Sequence, residues 1–557
     1  MALVQSEIVA ARLRATGAPV EVKTIVSDGD VRAPDAPIGE GIFVTALERA
    51  LVAGEIDIAV HSAKDLPLEE DPHLVIGAYP ERADARDALV TRLASRSTGD
   101  GVRLSSHSID DLAIGARVGT DSPRRAGFLR ALRPDLDVIP LHGNVDTRLR
   151  RLDSGEADAL VLAAAGLDRL DLGGRITTRI DGESMPPAPA QGALAIQARR
   201  DDDEVLDVLG RLDNADIRLA VVAERALLKA MGGGCRAPVG AIAVQVDGLL
   251  TMLAGAVTPD GRSKHMVRLS HDIENGGSLA RAVSDAAHEL KSFVALHSRA
   301  VIDTRPELEA AEREAIESEG FRVLHVPAIA IGSARSNGEI ERARSRLSEY
   351  DWVVLTSKRG VSALLDGVSS PPSNVRWAAV GATTAKALRD RGVHVDAVPA
   401  SARGDAIPRA MAKVGPLRGC RVLLARADAA DKALPQKLAE MGAHVDDLVA
   451  YHTITAPDTS RRALRDALAD GDVEAILFAS GSAVRGTVEL AGKDAVRARA
   501  LHTITIGPKT SGVARELGFE VAGEAPSQDG AGLRAALRRA FDEEVERWVE
   551  SQLLRPT

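Results

Sequence analysis

At 557 residues the chain has room for several domains, roughly three to five, and 45% hydrophobic with 27% charged residues describes a water-soluble globular protein. A formal net charge of −10 and a pI near 5.8 argue against a nucleic-acid polyanion as main partner. Two distant cysteines exclude a disulfide framework and fit a reducing cytoplasm, no apolar run approaches the roughly 20 residues of a membrane span, and His and Cys show no metal-ligand spacing.

The chain opens with MALVQSEIVAARLRATG, an amphipathic helix ended by Gly17, with no strand before it. VEVKTIV (20–26) reads as a strand and GIFVTALERALVAG (41–54) as a helix. In EIDIAVHSAKDLP (55–67), Ile56, Ile58 and Val60 form a short apolar run suited to a buried strand of a parallel sheet. His61, Ser62, Lys64 and Asp65 then lie beyond that strand's carboxyl end, where open α/β sheets bind ligands.

AIGARVGTDSPRRAGFLRAL (113–132) predicts a strand, a turn and a helix, with Ser122 as N-cap and Pro123 as first helical residue. Arg124 and Arg125 sit in the first turn, where the helix dipole disfavours cations. They point to an anion, or else to a solvated pair facing outward. DVIPLHGNVDTRLRRL (137–152) and ADALVLAAAGLDRLDL (157–172) repeat the pattern and supply Arg148 and Arg169. Three strand ends thus bring arginine toward one cleft, which predicts a ligand with several carboxylates or phosphates. No P-loop pattern is present, so carboxylates are the better match.

PPAPAQGALAIQAR (186–199) reads as a crossover back to the first sheet. DIRLAVVAERALLKAMGGGC is a helix running into the loop MGGGCRAPVG (231–240). A glycine run lets backbone approach a ligand closely. Taken alone, the loop reads as a structural turn with a small buried thiol; a tethering thiol at Cys235 is the alternative that the rest of the chain favours. AIAVQVDGLLTMLAGAVTPDG alternates like a hairpin, and SLARAVSDAAHELKSFVAL closes a small α+β domain near residue 297.

HSAKDLP, VGT-x-S-x-RR, GNV-x-TRL, QGAL and GGGCRAPVG, in this order, resemble hydroxymethylbilane synthase (porphobilinogen deaminase) over about residues 1–297. The resemblance implies an α/β fold: a two-lobed, periplasmic-binding-protein-like clefted domain (lobe 1 about 1–80 and 188–212, lobe 2 about 81–187) plus a cofactor-bearing α+β domain at about 213–297. It implies a dipyrromethane cofactor on Cys235 through a thioether, and Asp65 as the catalytic carboxylate. Cofactor binding is implied for Ser62, Lys64, Thr120, Ser122, Arg124, Arg125 and Arg148, and substrate binding for Arg169, His142 and Gln191. The implied substrate, porphobilinogen, carries acetate and propionate groups, which suits an arginine-lined cleft. Loss of its amino group leaves a cation that a carboxylate stabilises. Beside Lys64, Asp65 is expected to have a lowered pKa and to stay ionised at neutral pH.

Four positions depart from the family pattern. The chain starts inside the segment that usually reads Arg-x-Ser-x-Leu-Ala, so a first strand upstream of Met1 is expected. His142 stands where the family carries arginine, Glu40 where a lysine is usual, and Asp121 where a small polar residue is common. The first two remove cations from the substrate side.

From about Ala300 the pattern becomes βα alternation, with Thr304 read as an N-cap. An internal repeat follows: DWVVLTSKRGVSALL (351–365) parallels VEAILFASGSAVRGTVEL (473–490), and RWAAVGATTAKALRDRGVHVDAVPASARG (376–404) parallels TITIGPKTSGVARELGFEVAGEAPSQDG (503–530). Self-similarity of this length points to two like lobes. Tyr451 lies where the chain should cross back between them.

The TRP start, the TS, VGATT and IGPKT turns and Y-x-T resemble uroporphyrinogen-III synthase. That resemblance implies two doubly wound α/β lobes over about 298–545 (lobe 1 about 298–332 and 453–545, lobe 2 about 333–452), with a tail at 546–557. Tyr451 is implied as catalytic, and Thr356, Ser357, Thr384, Ser480, Ser482 and Thr510 as substrate-binding. Taken singly, each Ser or Thr reads more simply as a helix cap, and Tyr451 could be an interface aromatic. Together the halves imply a bifunctional cytoplasmic enzyme of tetrapyrrole synthesis, one family's product being the next one's substrate. Its small-molecule partners are porphobilinogen and hydroxymethylbilane, with no metal, nucleic acid or membrane, and it is expected to be a monomer. The contrasting class is a non-catalytic carboxylate- or tetrapyrrole-binding protein.

Overall fold

The computed structural model describes the chain except residues 26–43, 70, 93–107, 234–236, 274–277, 294–298, 334–337, 400–405, 429, 431, 470–472 and 554–557. It divides into two compact units: Met1–Val301 with Ala310–Val323 and Gly530–Thr557, and Ile302–Glu309 with Leu324–Asp529.

The first unit starts with α1 (Ala2–Ala15), which stops before Gly17 in the left-handed region (φ +89). After α2 (Val44–Val52) come β1 (Ile58–Ser62), a single turn at Ala63–Asp65, and β2 (Leu74–Ala78). β8 (Leu194–Arg199) runs antiparallel to both, in the order β1-β8-β2. Two expectations are corrected here. Among the described residues β1 is an edge strand paired antiparallel, not a buried strand of a parallel sheet. Residues 20–25 of VEVKTIV form no strand. A strand is held by a neighbour's hydrogen bonds, and no described strand flanks that segment, so its apolar alternation has nothing to pair with.

A second sheet has the order β5-β4-β6-β3-β7, from β3 (Asp87–Thr91), β4 (Arg117–Gly119), β5 (Asp137–Ile139), β6 (Ala159–Ala163) and β7 (Thr178–Arg179). β4 pairs parallel with both β5 and β6. Each of these three strands feeds a helix: α3 (Pro123–Leu132), α4 (Val145–Asp153) and α5 (Ala164–Arg169). Ser122 caps α3 by accepting the Arg125 N–H, and Asn144 caps α4 by accepting that of Thr147. The chain then returns to the first sheet as β8, as the sequence predicts.

Beyond α6 (Asp203–Gly210), α7 (Ala215–Ala230) packs on an antiparallel sheet of β9 (Val239–Val246), β10 (Leu249–Val257) and β11 (Lys264–Asp272), with α8 (Leu279–Phe293) beside it. The sequence reading found the first two strands and missed β11.

β12 (Arg299–Asp303), α9 (Ala310–Glu317) and β13 (Phe321–His325) lead on. Thr304 is not an N-cap, since the helix begins only at Ala310. It is 1% exposed, and its hydroxyl donates to the Leu477 carbonyl at 2.6 Å, because a buried hydroxyl must find an acceptor.

Two five-stranded sheets follow. One has the order β14-β18-β17-β15-β16, from β14 (Ile329–Ser333), β15 (Trp352–Leu355), β16 (Arg376–Ala379), β17 (Arg421–Ala427) and β18 (His444–Thr455). Only β14 is antiparallel there. The other has the order β13-β12-β19-β20-β21, with β19 (Val473–Phe478), β20 (His502–Thr505) and β21 (Val521–Glu524) parallel. The helices are α10 (Glu339–Ser345), α11 (Lys358–Leu365), α12 (Ala382–Arg389), α13 (Ile407–Ala412), α14 (Ala433–Glu440), α15 (Arg461–Ala469), α16 (Gly481–Ala491), α17 (Ala495–Arg499) and α18 (Pro508–Glu516). The internal repeat is visible as β15-α11-β16-α12 against β19-α16-β20-α18. α19 (Gly530–Leu553) lies in the first unit, and residues 546–553, read as a tail, are its last turns.

One buried charge ties the first unit together. Glu224 of α7 is fully buried, accepts both Arg82 Nη groups at 2.6 and 2.9 Å, and also accepts the backbone N–H of Ala190 and of Ala243. Removing one partner of such a pair strands the other's charge. Glu224→Ala should therefore lower the unit's unfolding free energy by about 3–5 kcal/mol, read as a reduced urea midpoint; an unchanged midpoint would refute this role.

Candidate functional site

The carboxyl end of β1 and the N-termini of α3 and α4 bring a set of charged groups together in the first unit. Asp87, at the start of β3, is completely buried. Arg124 Nη2 donates to it at 2.7 Å and Arg125 Nε at 2.9 Å. Arg124 also donates to the Pro186 carbonyl, and Arg125 to that of Val161. The anion that the arginine pair pointed to is, in the first instance, this internal carboxylate, and neither arginine is a solvated surface group.

Gln191, also fully buried, joins the pieces. Its Nε2 donates to Asp87 and to the Ala85 carbonyl, which leaves Oε1 to accept from Lys64 Nζ at 3.1 Å and Arg125 Nη2 at 3.3 Å. Arg148 donates to the Gly143 carbonyl and pairs with Asp121 at 3.4 Å, while His142 Nδ1 lies 2.9 Å from the same carboxylate. Arg169 donates to the Gly192 carbonyl. Ser62 Oγ accepts from Gln5, and Thr120 Oγ1 accepts the Ser122 N–H.

Burial governs the protonation of these groups. It pushes Lys64 down, against the pull of Asp65, and it pushes Arg124, Arg148 and Arg169 down as well. Burial alone would raise Asp87, but Arg124 and Arg125 overcome it and hold the carboxyl at about 2. Asp65 corrects an expectation. The residue is exposed, yet the surrounding protein raises its carboxyl above the ordinary value, and Lys64 and Arg125 offset this only in part. His61 is driven to about 4 by burial; Gln197 Oε1, at 3.1 Å, accepts from its Nε2.

Cys235 and Glu40 lie outside the described residues. The described groups fit a carboxylate-bearing cofactor there. Lys64 has one described hydrogen bond for its three donors, the buried Arg124 Nε has no acceptor, and cations outnumber carboxylates at the strand ends.

In the second unit a cavity of about 780 Å³ is lined by Tyr451, Arg344, Lys358, Arg359, Ser362 and Arg391, among others. The Tyr451 and Ser357 hydroxyls are 3.1 Å apart, and Ser357 caps α11 by accepting the Gly360 N–H. Lys358, Arg359 and Arg391 pair with Glu309, Glu307 and Asp366. Such exposed pairs are weak, so a ligand carboxylate can replace the protein's. Ser480 caps α16 through the Ala483 N–H, and Thr356 and Ser482 are half-buried beside the two caps. Thr384 and Thr510 sit at the same turn of α12 and α18 and are buried.

Sequence reasoning missed Asp87 and Glu224. The available signal was a carboxylate inside an otherwise apolar element, in RDALVT and VVAERALL.

The first unit combines a mixed α/β sheet whose strand ends carry cations with a separate α+β layer. Residues 1–207 match the family model described as porphobilinogen deaminase, dipyromethane cofactor binding domain, and residues 218–286 its C-terminal domain. Residues 310–535 match uroporphyrinogen-III synthase HemD. A porphobilinogen deaminase of Acidothermus cellulolyticus is 45% identical over 292 residues, covering 51% of this chain and 84% of that protein. One of Roseiflexus sp. is 47% identical over 268 residues, covering 47% and 84%. A solved uroporphyrinogen III synthase of Thermus thermophilus aligns with 44% of this chain and 99% of its own, at 20% identity and a TM-score of 0.34. The chain belongs to the porphobilinogen deaminase family and carries a uroporphyrinogen-III synthase domain after it.

His61 sets a pH dependence. Its neutral form is held in the fold while the unfolded chain protonates near 6.5, so stability present above 6.5 is lost as pH falls toward 4, by about 3 kcal/mol in all. His61→Gln, which keeps a donor for Gln197, should show a flatter denaturation midpoint between pH 6.5 and 4 than the wild type. Parallel profiles would contradict it.

Proposed function

We propose how two activities are distributed over this chain's residues. The fusion of porphobilinogen deaminase and uroporphyrinogen-III synthase domains makes it a bifunctional enzyme of haem biosynthesis. The first activity condenses porphobilinogen into hydroxymethylbilane; the second closes that chain to uroporphyrinogen III with inversion of the last ring.

One observation carries the first assignment: Lys64, Arg125 and Asp87 are locked together through Gln191 directly beside Asp65. Cys235 would hold the dipyrromethane, which would supply a pyrrole end for extension. Lys64, Arg124, Arg125 and Arg148 hold its carboxylates, helped by Ser62, Thr120 and the Ser122 turn. Arg169 and His142 face the incoming substrate's acetate and propionate. Gln191, fully buried, orients Lys64 and Arg125 rather than touching the ligand. Porphobilinogen's amino group, protonated, leaves as ammonia, and the ionised Asp65 carboxylate stabilises the cation left behind by accepting a hydrogen bond from its pyrrole N–H.

For the second activity, the Tyr451–Ser357 pair on the cavity supports Tyr451 as the group that hydrogen-bonds the departing hydroxyl of hydroxymethylbilane. Thr356, Ser480, Ser482, Thr384 and Thr510 belong to helix starts whose N–H groups suit the substrate's carboxylates. A monomer acting in the cytoplasm fits these small-molecule partners. Among the described residues no helix is long and apolar enough to cross a membrane.

Cys235→Ala should remove a dipyrromethane-sized increment from the intact mass; an increment that persists would move the attachment elsewhere. Asp65→Asn should keep the increment and lower kcat for porphobilinogen about 100-fold or more. Because Asp65 must be ionised and its carboxyl is raised, the acid limb of kcat should lie above the ordinary carboxylate range and vanish in the variant. Tyr451→Phe, given hydroxymethylbilane, should lose type III product in favour of type I; an unchanged ratio would exclude Tyr451.

A further inference from the structure

α19 runs antiparallel along α7 and meets it at three heights. Gln552 O accepts from Arg218, the Trp548 ring lies 5.8 Å from the Arg225 guanidinium, and Glu544 pairs with Lys229 at 2.6 Å. Val545 and Val549, both buried, complete the apolar core that α7 and α8 share with β9, β10 and β11, and Trp548 and Leu553 pack against it. The residues that do this, 536–553, lie beyond every stretch matched to a family model.

Two of the three contacts lead to the first active site. Arg225 is 2% exposed. It donates to the carbonyls of Ala63 at 3.0 Å, Leu66 at 3.2 Å and Pro67 at 2.9 Å, so it clasps both sides of the turn that presents Lys64 and Asp65. Trp548 provides an aromatic face for this guanidinium. Lys229 stands in the last turn of α7, just before the glycine loop of Cys235, and Arg299 donates to its carbonyl. Arg299 lies 4.5 Å from the Phe541 ring of α19 and fills the space a side chain at Gly232 would need, while Gly232 itself has φ +69.

We propose that α19 is a positioning element of the porphobilinogen-condensing site, with Trp548 holding Arg225, and through it the Asp65 turn, in register. This rests on Asp65 being the catalytic carboxylate. Trp548 touches no reacting atom, and its effect is expected in the chemical step rather than in binding, because the carboxylate-binding arginines belong to α3, α4 and α5.

The test uses the full chain loaded with dipyrromethane, loading being read by intact mass. Trp548→Ala should lower kcat for porphobilinogen about tenfold with KM within about twofold, and should speed amide hydrogen exchange at residues 63–68. Trp548→Phe, which keeps a ring for Arg225, should restore both. Production of uroporphyrinogen III from supplied hydroxymethylbilane should be unaltered in each variant. If Trp548→Ala is insoluble, Trp548→Leu removes the ring while keeping apolar volume and serves the same comparison. A loaded ring-deletion variant with kcat and exchange like the wild type would overturn the proposal, as would a loss that Phe does not restore. Asp65→Asn in parallel separates the two readings: normal turnover there removes the assignment of Asp65, whereas a dead Asp65→Asn beside a fully active Trp548→Ala removes only the role of α19.

Discussion

The carboxylate of Asp87, buried between two guanidinium groups, is the constraint on which the first site depends. Taking three ionised groups out of water costs several kcal/mol for each, and apolar residues of the same volume would pack more cheaply. The ion cluster fixes direction instead. Asp87 claims the Gln191 amide nitrogen, so the amide oxygen can only face Lys64 and Arg125. Those cations are thus set before any ligand arrives. Donors aligned in advance need no reorganisation when an anionic group meets them.

This also explains what could be read from the sequence. Helix starts were legible because caps are local: Ser122, Ser357 and Ser480 each satisfy a backbone N–H three residues on. The strand-turn-helix rhythm that delivers Arg125, Arg148 and Arg169 was legible for the same reason. Thr304 looked equally like a cap, but its hydroxyl answers to Leu477, 173 residues away. Asp87 meets its arginines across 37 residues, and nothing local marks that pairing except the oddity of an acid in a strand. Asp65 shifts opposite to the direction its sequence neighbour Lys64 implies, because the surrounding protein outweighs that cation. β1 was placed correctly as a segment and wrongly as a partner, since pairing is a property of two strands.

In the second unit the repeat preserves scaffold and varies chemistry. The caps Ser357 and Ser480 are equivalent, and so are the buried Thr384 and Thr510. Their neighbours differ: Lys358 and Arg359 follow the first cap, Gly481 and Ser482 the second. The first repeat brings its cap, Ser357, within reach of Tyr451. A duplicated framework with one cationic copy is asymmetric, as it must be to single out one ring of a chain of similar rings. Each cap hydroxyl is already engaged by a backbone N–H, whereas the ion pairs near Tyr451 are exposed and weak.

Compactness and family boundaries divide this chain differently, and the difference has a physical cause. The apolar core on α7, which includes Val222, Ala226 and Met231, takes in Val545 and Val549 of α19, and such apolar surface cannot be left to water without loss. α19 covers it with residues from the far end of the chain, so 530–557 joins 1–301 in one unit although more than two hundred residues intervene in sequence. Because Arg225 and Lys229 lie on the covered side of α7, the same packing that closes the core also bears on the Asp65 turn and the base of the Cys235 loop. Core closure and the hold on the 63–67 turn thus share α7, and the residues of α19 that pack on it, 541–553, lie beyond the stretches matched to either family.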